Sequence, residues 1–407
     1  MTEKNNLTTE DTPVDSEWFE IYINRCSFDD IQFLKFDQEN LQKQKELFFA
    51  GEIDEPTLLY QDFQEQIAGY RCELESFLKM IEIDRSQLFP VRRIYHNKIC
   101  EQLDKIALLE AMYMADNKKF LDRSLKIYGE LDKGLIQSAI STLLVTAKSN
   151  NHVVSDYLLE LADYFGASEK GSVIEYVQLD EDKEILSADK IAEVFKEDLK
   201  NKGIPWQVNI CDESLVTHVS YSDNTINIPT SRRMTRIEAE ALVEHEVNVH
   251  LVRYVNGNNS KLRLLSIGLD GYIKGEEGIA TYRQCLIDKN LPSVDTYIYV
   301  GLASGLYDGE ARSFREIYNF SKQCFQIVKK PEVETDGLAW KTTLRMFRGT
   351  TGKAGACFTR GSIYFEGFMR IRNLIETNDS EVSRFMVGKY DPANPQHTKL
   401  LDELNIR

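Results

Sequence analysis

Apolar positions in the first part of the chain recur every three or four residues. In "LESFLKMIEI" (74–83), "ICEQLDKIALLEAMYMA" (99–115) and "GLIQSAISTLLVTAKS" (134–149) they follow a 3.6-residue period, which predicts helices with one buried stripe. Pro90 and Gly129 punctuate the run. The pattern defines an N-terminal helical region over 16–165, behind a polar tail over 1–15. Beyond that region "SADKIAEVFKEDLKNKG" (187–203) predicts another helix, with Ser187 or Asp189 at its start and Gly203 at its end. The period then drops. "WQVNICDE", "HVSYSD" and "TINIPT" are short, rich in Val, Ile and Thr, and separated by Asp and Asn, which predicts a small antiparallel sheet with "SDNT" as a hairpin turn. Thr235 and Glu238 form a capping-box pattern before the next apolar run, so a helix starts there. Helices resume in the C-terminal third, around the glycine-rich stretch "FRGTTGKAGACFTRG". The expected class is α+β and mostly helical, with a second domain over 166–407.

The helix over 241–255 breaks the amphipathic rule. Leu242, Val243, Val247, Val249, Leu251, Val252 and Val255 leave no broad polar face, so it should be buried. Yet Glu244, His245, Glu246, Asn248 and His250 sit in its middle. Burying such groups without partners costs roughly 2–7 kcal/mol each, and a cation held by imidazole and carboxylate would satisfy them. Two histidines four residues apart lie about 40° apart on an α-helix and can share an ion; His245 and His250 are five apart, about 140°. A local i→i+5 turn would return both rings to one side, so a π-type distortion is expected between them. Two other readings compete: both histidines are inert core residues, or Glu246 and His250 are ligands while His245 faces elsewhere. A catalytic site also needs a third protein ligand. "GEEGIATYRQCL" (275–286) offers Glu276 and Glu277 at the start of a helix, where they could equally be solvated first-turn residues. Gly278 and Ala280 would let two helices approach closely.

Composition narrows the class. A net charge of −16 disfavours a general nucleic-acid binder, since phosphate contacts need a basic surface. Seven scattered cysteines with no C-x-x-C pair fit reduced thiols and a cytoplasmic location. The polar start is unlike a signal peptide, and no apolar run is long enough to predict a membrane span.

Taken together, "EHEVNVHLVRYVNG", "LRLLSIGLDGY" and "EEGIATYRQ" resemble the QEGLA-motif family. That family includes bacterial proteins labelled flavohemoglobin expression-modulating and the microtubule-associated tyrosine carboxypeptidases of animals. The likeness runs from about residue 60, through "RSLKIYG", to "CFTRGSIYFEG". It implies a zincin-like (gluzincin) domain with Zn2+ on His245, His250 and Glu277, the glutamate directly before glycine. Asn248 stands where the family commonly has glycine, and Ile279 where it has leucine. The implied activity is a metallopeptidase, read as a carboxypeptidase that removes a residue, aromatic in the animal relatives, from a peptide or protein C-terminus. Glu246 would be the general base that activates water. An endopeptidase or aminopeptidase on the same ion, or a metal-binding regulator without catalysis, are the alternatives. Over 341–372 seven basic residues face only Glu366. As an alternative to a solvated surface run, Arg348, Arg360 and Arg345 would clamp the substrate carboxylate. Tyr364 would donate to the oxyanion, and "TINIPT" would serve as the edge strand that holds the substrate backbone.

Overall fold

The computed structural model describes residues 13–172, 184–212, 217–289, 294–327 and 332–407. Residues 1–12 of the expected tail lie outside the described residues. The chain groups into two compact units: one made of Met1–Ser16, Val177–Pro292 and Gly367–Arg407, the other of Glu17–Tyr176 and Ser293–Glu366.

The second of these is helical. The expected period yields helices Gln64–Ile83, Phe89–Tyr113, Asn117–Tyr128 and Lys133–Ser149. Pro90 sits in the first turn of its helix, where its missing N–H costs nothing, and Gly129 ends another at φ 93°. Helices Gln38–Phe49, Asp156–Phe165, Val294–Ser304, Phe314–Ile327 and Glu332–Phe347 also belong to this unit. Aromatic contacts tie its distant stretches together: Trp18 meets Phe77 and Tyr95 edge-on, and Phe48 packs on Phe314 and Trp340. The glycine-rich stretch is a loop with Gly349, Gly352 and Gly355 at positive φ. A side chain at Gly349 would run into the Phe120 ring.

The other unit carries the strands: β1 (Ile185–Leu186), β2 (Gln207–Cys211), β3 (His218–Ser220), β4 (Thr225–Pro229) and β5 (Met234–Thr235). The expected antiparallel sheet is mixed. β4 lies in the centre, parallel to β2 and antiparallel to β3, and β1 pairs with β5 in a separate antiparallel ribbon. The predicted hairpin turn joins β3 to β4, with Asn224 at φ 53°. "TINIPT" is therefore a central strand with both edges paired, and β3 is an edge strand instead. The parallel pairing arises because β2 joins β4 past β3, a connection that alternation along the chain does not reveal.

The core explains the apolar motif helix. Ile191, Phe195, Ile226, Ile228, Val243, Val247 and Leu251 form one cluster between the sheet and the helices Ala188–Asn201 and Arg236–His245. Val249 belongs to a second cluster with Ile279, Ala280, Ile371 and Phe385. The segment is buried on two sides, so it needs apolar side chains on two sides. Among the described residues, no helix is long and apolar enough to cross a membrane.

Candidate metal centre

Thr235 caps helix Arg236–His245 through the full capping box: its side chain accepts from the Glu238 N–H, and the Glu238 carboxylate accepts from the Thr235 N–H at 2.7 Å. The helix then widens into a π turn over Glu246–Leu251 and resumes as an α-helix over Val252–Asn258. The extra residue is absorbed where the five-residue step demanded. Both imidazoles return to one side, with ring centroids 4.8 Å apart at 81°.

The third carboxylate comes from helix Ile273–Asp288, which packs against the motif helix. Glu277 Oε2 lies 3.5 Å from His245 Nε2 and 3.7 Å from His250 Nε2. His245, His250 and Glu277 are the group among the described residues that could hold an ion, their ligand atoms all within 4.8 Å of one another. Tetrahedral ligands at zinc distances are about 3.3 Å apart. Glu277 Oε2 is buried and accepts no hydrogen bond, which is costly unless a cation completes it. The three residues fit a small ion with nitrogen and oxygen ligands.

The far side of each ring is fixed. His245 Nδ1 lies 2.9 Å from Gln284 Oε1, and Gln284 Nε2 donates to Asp288, which orients the amide. His250 Nδ1 lies 2.8 Å from Glu276 Oε1. Both partners accept, so each Nδ1 donates backwards and each Nε2 is the atom turned to the site, a metal ligand once its own proton has left. Glu276 is buried and held in turn by Arg253, whose side chain is fully buried and also donates to the Tyr390 carbonyl at 2.9 Å. Lys389 Nζ is 3.7 Å from Glu276 Oε1. The charges settle accordingly. Burial opposes ionisation of Glu276, but Arg253 and Lys389 outweigh it and push its carboxyl down to about 2. Burial also works against Glu277, and the two imidazoles hold it below its ordinary value. His245 is pulled down by burial and up by Glu277 and Glu246, and ends at about 9.

Glu246 is the first residue of the π turn, half-buried, and its carboxylate acts on the His245 ring. Tyr364, Arg345, Arg348 and Arg360 belong to the helical unit. There Arg360 is committed: it donates to Asp29 at 3.0 Å, contacts the buried Asp30 and stands over the Tyr128 ring. Tyr364 adjoins Arg360. Arg345 is exposed, and Arg348 stands over the Phe36 ring with its Nε buried and unpartnered. Of the other basic residues in that run, Arg370 pairs with Asp391 and Arg372 with Glu376.

Sequence reasoning missed the supporting shell of Gln284, Arg253 and Lys389, and left Glu276 only as a rival to Glu277. One signal was available. Arg253 lies in the same apolar helix as the histidines, and a buried guanidinium demands an acid.

A family model described as microtubule-associated tyrosine carboxypeptidase matches residues 46–293 and 306–406. No curated protein matches the chain. Among solved structures, "The crystal structure of the putative lipoprotein from Colwellia psychrerythraea" is similar at 12% identity and a TM-score of 0.43, over 82% of this chain and 67% of that one. With the family model spanning most of its length and both motifs, the chain belongs to the microtubule-associated tyrosine carboxypeptidase family.

Proposed function

We propose that the protein is a zinc-dependent carboxypeptidase with a gluzincin-type site, and that it removes a C-terminal residue from a peptide or protein. The observation that carries this is the convergence of His245 Nε2, His250 Nε2 and the unpartnered Glu277 Oε2, with both Nδ1 atoms bound from behind. That donor set suits Zn2+. The family name supplies the reaction class and a C-terminal tyrosine as the first substrate to try. The seven cysteines are unpaired, in keeping with a reducing cytoplasmic setting.

When bound, zinc supplies Lewis acidity towards a carbonyl and makes water more acidic. The remaining work falls to this chain. Gln284 and Glu276 hold the imidazoles in the tautomer that binds metal. Glu246 takes the proton of the attacking water and passes it to the departing amine, so one peptide bond and one water become a carboxylate and an amine. It has no ion-pair partner among the described residues, as a base needs. Of the three arginines expected to clamp a carboxylate, Arg360 already faces two aspartates within the helical unit.

The test is metal analysis paired with an assay on a peptide ending in tyrosine. About one zinc per chain and release of free tyrosine are expected. Glu246→Gln should keep the metal and lose about 10²–10⁴-fold in turnover. Full function in Glu246→Gln would point instead to a metal-binding regulator, and cleavage from the amino end to an aminopeptidase.

A further inference from the structure

The unit that holds the metal centre contains a tyrosine that neither the motif helix nor the glutamate helix supplies. Tyr221 directly follows the edge strand β3, which packs beside the π turn. Its ring is held from several sides. Tyr254 lies 4.5 Å away centroid to centroid, Trp206 lies 5.9 Å away edge-on, and the Lys389 ammonium is 4.3 Å from the ring centre. The hydroxyl has one recorded contact: Lys389 Nζ donates to it at 2.8 Å. Lys389 is itself buried and 3.7 Å from Glu276 Oε1. A run of hydrogen bonds and charges thus leads from the Tyr221 hydroxyl through Lys389 and Glu276 to His250.

We propose, on the basis of the peptidase reading above, that Tyr221 is a catalytic residue: its hydroxyl donates a hydrogen bond to the oxygen of the scissile carbonyl as charge builds there. Lys389 is the positioning residue that aims it. An ammonium can only donate, so it takes an acceptor lone pair of the hydroxyl and leaves the phenolic proton for another acceptor. Among the described residues, none takes that proton. The surroundings keep it in place as well: burial first, then the Glu276, Glu246 and Glu277 carboxylates, push the phenol well above its ordinary value. Those same three carboxylates put the hydroxyl in the electrostatic neighbourhood of the proposed base and of the third metal ligand. A donor locked by packing, undissociated and free of any protein acceptor is pre-organised for charge that appears only during reaction. The attack itself balances without Tyr221: water adds to the carbonyl carbon, Glu246 carries its proton to the amine, and the C–N bond breaks. Tyr221 contributes a hydrogen bond that strengthens as the carbonyl oxygen becomes an oxyanion.

The experiment uses the full chain loaded with zinc, a peptide ending in tyrosine, and the same peptide with a tetrahedral phosphonate in place of the scissile amide. Tyr221→Phe keeps the ring and removes only the hydroxyl. It should lower kcat about 10²–10³-fold at nearly constant KM. It should weaken the phosphonate by a similar factor, and leave zinc content and Tm unchanged. Lys389→Met should lower kcat in the unaltered background and have no further effect in the Tyr221→Phe background, a non-additivity that a merely structural lysine would not show. If Tyr221→Phe keeps full kcat and full phosphonate affinity while the unaltered protein turns over, Tyr221 has no such role and the peptidase reading stands. If the unaltered protein releases no C-terminal residue, both fall.

Discussion

Glu276 and Glu277 are adjacent, yet the fold gives them opposite tasks. Glu277 presents an unpartnered oxygen to two imidazole nitrogens; Glu276 turns towards Arg253, Lys389 and the back of His250. Their substitutions should therefore separate. Glu277→Ala should lose zinc, as read by metal analysis, because only the two imidazoles remain. Glu276→Gln should leave Arg253 without its counter-charge and cost about 3–5 kcal/mol of stability, read by denaturant unfolding. The acid limb carries the sign. The Glu276 carboxyl sits at about 2 in the fold, against about 4.3 in an unfolded chain. Its stabilisation is complete above that unfolded value and is lost as pH falls through the folded one. Glu276→Gln should flatten the stability curve over this window. Gln284→Ala removes the support behind His245 and should weaken zinc about 10–100-fold without abolishing it. The residue pair was legible as chemistry, because "EEG" offers two acids where a third ligand is needed. Which acid does which task depends on Arg253 and Lys389 in space, and no spacing along the chain encodes a partner 113 positions away.

At the scale of elements, the five-residue histidine step was readable as a geometric contradiction, and the π turn over Glu246–Leu251 resolves it. The turn makes a sharp prediction. Deleting Asn248, half-buried between the fully buried Val247 and Val249, shortens the step to four. An α-helix then brings both rings to one side by itself, and residues beyond the turn keep their places. The variant should still bind about one zinc. Inserting an alanine after Asn248 should abolish binding, since with the wide turn absorbing one residue a six-residue step still leaves the rings about 140° apart. Loss of metal in the deletion variant would show that the π turn sets more than ring direction. Helix contact gives a second test. Gly278 was expected to let the glutamate helix approach the motif helix; its close contact is instead with Gly367 of helix Ser362–Glu376, where a Cβ on Gly278 would meet the Gly367 carbonyl carbon and oxygen at 2.5 Å. Both atoms are backbone, so nothing flexible can yield. Gly278→Ala should cost about 1–3 kcal/mol and lower Tm. The sheet was less legible. Short runs of Val, Ile and Thr identify strands, but not that β4 is central or that β2 runs parallel to it. Register of that kind is decided by which edges the surrounding helices leave open.

Across the whole molecule, order along the chain and grouping in space diverge. The sequence changes texture near residue 166, which suggests a boundary there, yet residues 293–366 group with the helices that precede it. The contacts are specific. The Tyr297 hydroxyl accepts the Asp132 N–H at 2.7 Å, just before helix Lys133–Ser149. Ser124 bonds Thr359 through both backbone and side chain, at 2.9 and 2.8 Å. Arg360 closes on Asp29 and Asp30, and Trp340 and Phe314 cover Phe48. A fragment over 166–407 would keep all three metal ligands but strip these partners from residues 293–366. Arg360 would lose two counter-charges, and a large aromatic and aliphatic surface would meet water, which favours association over folding. That fragment should elute as aggregate, or show helical far-ultraviolet dichroism without a cooperative melt, whereas the full chain should melt cooperatively. A monomeric, cooperatively melting fragment would mean that residues 293–366 need no support from the N-terminal helices. Zinc sharpens the comparison. If the site is the one described, adding the metal should raise the Tm of the full chain according to its affinity and concentration. The three-residue substitution His245→Ala, His250→Ala, Glu277→Ala should abolish that rise while leaving the helical unit's contacts untouched.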